Sequence, residues 1–220
     1  MTETLNKKLT AGIVVFPGTN CDRDTFMACE EFGWEAKYIW HFETDLKGYD
    51  VIFLPGGFSY GDYIRSGRLA KFSPVMQAIK EFVENKQGFL IGICNGFQIL
   101  CETGLLPGVL TDNWSTRFIC NVQELNLKNK QNINLPIAHG EGRYVAEPDT
   151  ISQLKEKDMI FLTYNNNPNG SLEDIAGLYD REKRIIGMMP HPERAFFKET
   201  GNLDGKEIFK IIEEGLANVN

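Results

Sequence analysis

Two periods of apolar and polar residues alternate along this chain, and the changes from one to the other predict its elements. Short, nearly continuous apolar runs at residues 12–16, 51–54 and 89–93 read as buried strands, with 35–40 as a further one. Between them, residues 22–32 read as a helix closed by Gly33, and over 74–85 Val75, Ile79, Phe82 and Val83 recur at helical spacing. A short helix is expected over 97–102 and a last one over 206–217, while 159–163, 177–179 and 184–189 read as strands. The middle behaves differently. Residues 117–127 alternate apolar and polar, and 137–145 are short and turn-rich, which predicts a small antiparallel insertion beside the main sheet. The β-α-β rhythm of the rest predicts an α/β fold: an open, mostly parallel sheet with helices on both faces. No repeat, low-complexity stretch or Pro/Gly/Ser-rich linker divides the sequence, so residues 1–220 read as one domain.

Composition narrows the partners. A net charge of −7 without any basic block argues against nucleic acid or an anionic membrane surface. The five cysteines are odd in number and contain no CxxC pair, so neither a disulfide framework nor a metal site is expected. Residues 1–8 lack the apolar core of a signal peptide, and no run approaches the ~18 apolar residues of a membrane span, which leads to the expectation of a cytoplasmic protein. The segment 201–207 faintly resembles a phosphate loop. Its spacing is one residue short and it lacks the Ser/Thr that would hold magnesium, so no nucleotide site follows.

The candidate chemistry lies at strand ends. Gly92-Ile93-Cys94-Asn95-Gly96 sits between a strand and a helix, the form of a nucleophile elbow in which small neighbours let the chain turn sharply and lift the nucleophile above the sheet. A thiolate attacks carbonyl carbon readily, and a helix N-terminus favours thiolate. Cys94 is therefore the candidate nucleophile, against the plainer reading of a small buried hydrophobe. About a hundred residues later comes Met189-Pro190-His191-Pro192-Glu193-Arg194. The residue before a proline is biased to extended backbone, where positions two apart face the same way, so Glu193 can orient His191 as a base for Cys94. The glycine pair in Leu54-Pro55-Gly56-Gly57 leaves a neighbouring strand end, and an oxyanion hole needs a second N–H donor from such a junction. Gly57 and Asn95 are the expected donors. By contrast, nothing near Cys21 in the sequence supplies a base, Cys29, Cys101 and Cys120 fit core packing, and His41 and His139 read as structural hydrogen-bonders.

Taken in order, the P-G-G loop, the G-x-C-x-G elbow and the His-Pro-Glu triplet resemble the class I glutamine amidotransferase domain. Within that family, Val14-Val15-Phe16-Pro17-Gly18-Thr19-Asn20-Cys21-Asp22-Arg23-Asp24, Gly56-Gly57-Phe58-Ser59-Tyr60-Gly61-Asp62-Tyr63, Gly92-Ile93-Cys94-Asn95-Gly96-Phe97-Gln98 and Pro136-Ile137-Ala138-His139-Gly140-Glu141-Gly142-Arg143, with the His191 segment, are similar to the glutaminase subunits of phosphoribosylformylglycinamidine synthases. The resemblance implies a flavodoxin-like sheet and hydrolysis of glutamine through a Cys94 thioester. It also implies Gly56 and Gln98 as further substrate contacts, and places His139 and Arg143 near the mouth of the site or the partner interface. The ammonia would pass to a separate synthetase subunit that converts formylglycinamide ribonucleotide to formylglycinamidine ribonucleotide, joined by a small third subunit in many bacteria. ATP and magnesium would be used there, and no cofactor is expected in this chain. A catalytically silent assembly module and a cysteine peptidase or hydrolase on a related fold are the alternatives.

Overall fold

The computed structural model describes residues 8–129 and 131–217; most of the N-terminal segment read for a signal peptide lies outside them. In chain order the elements are β1 (Thr10–Val15), α1 (Asp22–Phe32), β2 (Glu35–Trp40), β3 (Val51–Leu54), α2 (Pro74–Glu84), β4 (Phe89–Ile93) and α3 (Asn95–Glu102). They continue with β5 (Val109–Thr111), β6 (Ile119–Leu127), β7 (Asn132–His139), β8 (Arg143–Val145), α4 (Pro148–Glu156), β9 (Ile160–Tyr164), β10 (Ile175–Asp180), β11 (Ile185–Met188) and α5 (Gly205–Ala217). Nine strands form one sheet in the order β2-β1-β3-β4-β11-β10-β9-β6-β7. From β2 to β11 every neighbour is parallel. Strands β1, β3 and β4 are the apolar runs that the sequence marks as buried, β11 is buried along its length too, and the edge strand β2 is mostly exposed.

Both faces of this parallel half are covered. Phe53 of β3 stacks on Phe209 of α5, 5.7 Å between ring centres, and Phe209 in turn meets Phe32 of α1 and Phe196. The next residue, Leu54, points to the opposite face, where α3 approaches so closely that a Cβ on Gly96 would lie 2.9 Å from the Leu54 Cβ. Cores this tightly interlocked fix the strand ends relative to one another, which is what a site built from several loops requires.

The antiparallel strands take a different place from the one the sequence suggests. Of the segments expected beside the main sheet, β6 and β7 instead continue it through the antiparallel strands β10 and β9, while β8 does stand apart, paired with β5. The β7 strand starts at Asn132, five residues before the expected run, with Ile133, Leu135 and Ile137 buried on alternate positions. Helix α4 has no counterpart in the sequence pattern: among its nine residues only Leu154 is buried, too few apolar positions to register as a period. No helix among the described residues is long and apolar enough to cross a membrane.

Candidate active site

The loops after β1, β3, β4 and β11 leave the carboxyl ends of strands that are adjacent in the sheet, so their residues converge at one edge. Cys94 follows β4 directly and precedes the first residue of α3, with φ 51° and ψ −105°. This backbone conformation is sparsely populated for a residue with a side chain. It is held from both sides: the Cys94 N–H donates to the Met188 carbonyl at 2.7 Å, and its own carbonyl accepts from the Gln98 N–H at 3.1 Å. The turn also requires glycine two residues on, because a Cβ at Gly96 would stand 1.8 Å from the Leu54 carbonyl oxygen. Such strain, locked by its surroundings, is the elbow that the spacing of small residues predicts.

His191 follows β11, where its N–H donates to the Pro136 carbonyl at 2.8 Å. Its Nδ1 lies 2.6 Å from Glu193 Oε1, and both residues are 1% exposed. Burial alone would push the His191 pKa down. The Glu193 carboxylate, helped by the thiols of Cys94 and Cys21, overrides that and holds it well above the usual imidazole value. The ring's other nitrogen, Nε2, is buried and has no hydrogen-bond partner. Cys94, His191, Ala138 and Gly57 line one small cavity of about 120 Å³, together with Cys21 and Arg194. The three expected catalytic side chains are thus brought together.

The glycine loop divides its work between two residues. Gly57 lines the cavity beside Cys94, has φ 144°, and among the described residues its N–H is taken up by no hydrogen bond. Asn95 opens α3, where the first N–H groups have no partner within the helix. Gly56 lies behind the imidazole: a Cβ there would meet His191 Cε1 at 2.7 Å and Cys21 Sγ at 3.0 Å, and its carbonyl accepts from the Cys21 N–H. Its place in the structure is to leave room for the ring. Gln98 borders a second cavity of about 200 Å³ that also opens on Cys94. Its side chain accepts from Asn95 Nδ2 at 2.9 Å and donates to the Glu141 carbonyl at 2.6 Å, tying α3 to the loop between β7 and β8.

That second cavity contains residues to which the sequence assigns no role: Asp62, Ser66, Asp112 and Glu141. Burial raises the Asp62 carboxyl pKa, partly offset by hydrogen bonds from Ser66 and Asn95. His139 lines it too, 3% exposed, with Nδ1 3.0 Å from Asn113 Oδ1. Because that oxygen also accepts from the Gly142 N–H, it acts as the acceptor and His139 Nδ1 carries the hydrogen. Burial, then the charge of His191, lowers the His139 pKa from 6.5 to about 4. An unfolded histidine binds a proton below pH 6.5 that the folded one refuses until about pH 4, so this residue contributes stability above 6.5 that is lost as pH falls through that window. The expected loss is about 3 kcal/mol. Denaturant unfolding at pH 7 and pH 4.5 should therefore show a smaller pH-dependent drop in His139→Gln than in the unaltered chain, since His191 carries the opposite dependence in both.

Two cysteine readings change. Cys120, expected in the core, is exposed on β6. Cys21 does have a base beside it: its sulfur, a ring nitrogen of His191 and a carboxylate oxygen of Glu193 lie within 4.8 Å of one another.

Comparison with known proteins identifies the family. Residues 8–210 match the model of the CobB/CobQ-like glutamine amidotransferase domain. The chain belongs to this family. Among amidotransferase relatives it is 49% identical, over 96% of this chain and 100% of the other, to a phosphoribosylformylglycinamidine synthase subunit PurQ of Prochlorococcus marinus. The subunit of the same name from Thermus thermophilus is 46% identical over 90% of this chain and 94% of its own. Among solved structures, that of PurLQS from Thermotoga maritima superposes with a TM-score of 0.85 at 39% identity, covering 96% of this chain and 99% of that one. In this amidotransferase the open α/β sheet expected from the sequence is therefore the family's fold.

Proposed function

We propose that this chain hydrolyses glutamine with Cys94 as nucleophile, His191 as its base and acid, and Glu193 as the group that holds the imidazole. It is the glutaminase subunit of phosphoribosylformylglycinamidine synthase and works with the PurL synthetase subunit. What carries the catalytic assignment is His191, held by the buried Glu193 carboxylate at 2.6 Å and lining the same cavity as a cysteine in elbow geometry.

His191 takes the Cys94 proton, and the thiolate attacks the carboxamide carbon of glutamine beside the resulting imidazolium. His191 passes that proton to the leaving nitrogen, the C–N bond breaks, and ammonia departs from a glutamyl thioester. Water then attacks the thioester carbonyl and gives a proton to His191; the C–S bond breaks, glutamate leaves, and His191 returns the proton to the Cys94 sulfur. Negative charge on the amide oxygen is stabilised by the N–H groups of Gly57 and Asn95, an interaction worth roughly 3 kcal/mol per donor. The acidic wall of Asp62, Asp112 and Glu141 suits the α-ammonium of glutamine, with Gln98 among the substrate contacts. No cofactor takes part in this chain's chemistry; ATP and magnesium belong to the synthetase, and the setting is the cytoplasm.

Ammonia that escapes is wasted as ammonium, so hydrolysis is expected to be weak in the isolated chain and to rise when the synthetase and its substrates are added. Glutamate formation measured with and without the synthetase tests this. Hydrolysis of peptides or esters by the isolated chain, with no response to glutamine, would instead support a hydrolase on the same fold. No glutamate in either condition, while added ammonium still supports the synthetase, would support a silent assembly module.

A further inference from the structure

Cys21 stands outside the mechanism above, yet it is packed against the mechanism's base. It precedes α1, is 2% exposed, and lines the same cavity as Cys94 from the loop after β1. Its sulfur belongs to the buried trio with His191 and Glu193, each donor atom within 4.8 Å of the others. Two further atoms of this trio, His191 Nε2 and Glu193 Oε2, are buried without any hydrogen-bond partner. Buried polar atoms are rarely left unpaired, and a thiol, an imidazole and a carboxylate are the donors that borderline-soft cations choose.

From this geometry we infer that Cys21, His191 and Glu193 form an inhibitory site for a thiophilic divalent cation of the zinc class. Cys21 supplies a thiolate and His191 a ring nitrogen. Glu193 serves either as a direct ligand or through the Nδ1 hydrogen bond it already makes, the carboxylate–histidine arrangement that strengthens an imidazole as a ligand. Binding releases the Cys21 thiol proton to solvent, and the ring proton as well where His191 is charged. Burial raises the Cys21 thiol pKa; His191, and Arg194 with its Nη2 3.1 Å from the sulfur, oppose that in part. The Arg194 charge is shared with Asp24, 3.2 Å from Nε.

The consequence rests on the role proposed for His191. A cation on Nε2 takes the nitrogen that serves Cys94, and one on Nδ1 displaces Glu193, so either removes the base. Cys94 lines the same cavity and can close the coordination shell with water. The site would let a rise in free zinc arrest glutamine consumption reversibly.

Cobalt(II) is a suitable probe, because a cobalt–thiolate bond gives a charge-transfer absorption that simple folding defects do not create. The full chain is titrated with cobalt(II), then with zinc in competition with a chromophoric chelator, for the unaltered protein and for Cys21→Ala, Cys21→Ser and Cys120→Ala. The expected result is one cation per chain with a thiolate–cobalt band, at least tenfold weaker binding in both Cys21 variants, and no change in Cys120→Ala. Zinc inhibition of glutaminase activity with the synthetase present, scored against each variant's own zinc-free rate, should weaken in parallel and reverse with chelator. Equal metal affinity in the Cys21 variants and the unaltered chain, or loss of the band only in Cys120→Ala, would overturn the inference. If metal binds at Cys21 but zinc leaves glutamine hydrolysis untouched, the inhibitory role is overturned, while the assignment of His191 as base is judged separately by the zinc-free rate of a His191→Ala variant.

Discussion

Cys94→Ala is expected to lower glutamine-dependent ammonia release by about 10⁴- to 10⁶-fold, to the level of uncatalysed background. No other described thiol can take over. Cys29 is buried and burial pushes its thiol above the ordinary range, Cys101 likewise, and Cys120 is exposed on β6. Cys21 is near the imidazole but lacks the elbow: it precedes α1 with φ −97° and ψ 10°, a relaxed backbone that does not lift the sulfur over a strand end. The synthetase should still form product from added ammonium salt in the presence of Cys94→Ala, because the substitution removes the ammonia source and leaves the docking surface unaltered. A full rate with glutamine in this variant would exclude Cys94 as nucleophile.

The second large effect concerns Glu193. Its carboxylate is the strongest of the influences that raise the His191 pKa against burial, so Glu193→Gln removes the charge while keeping the shape. The rate should fall about 10²- to 10⁴-fold, because a neutral amide neither stabilises the imidazolium nor fixes which ring nitrogen carries hydrogen. The pH profile should change in a defined direction. Activity is lost on the alkaline side when His191 gives up its proton, and a lower His191 pKa brings that loss to lower pH. The kcat/KM profile for glutamine, measured with the synthetase present, reads this directly. A profile that keeps its alkaline limb, merely scaled down, would assign Glu193 a packing role.

Much of the site was legible because its signals are local. The elbow needs only two glycines around Cys94 between a strand and a helix, and His191 and Glu193 are two positions apart in extended backbone. The central parallel strands β1, β3 and β4 were legible for a similar reason, since burial on both faces leaves continuous apolar runs. The contacts of Cys21 were not, because they join residues remote in sequence: Arg194 donates to Cys21 across 173 positions, and no local pattern records that. Cys120 reads as core because β6 alternates, yet its outer half faces solvent on both sides. The acidic wall is hidden in the same way. Asp62 and Glu141 come from loops after β3 and β7, strands well apart in the sheet order, brought together only when β7 returns to set the Ala138 carbonyl 3.7 Å from the Cys94 sulfur.

In this mechanism glutamine passes through a covalent bond to one sulfur. Quenching the complex in acid during steady turnover of glutamine and mapping the glutamyl adduct by peptide mass spectrometry tests it most directly. The adduct is expected on the Cys94 peptide, with more of it in Glu193→Gln if that variant slows hydrolysis of the thioester more than its formation. An adduct on Cys21, or turnover with no thiol-bound glutamyl group at all, would contradict it.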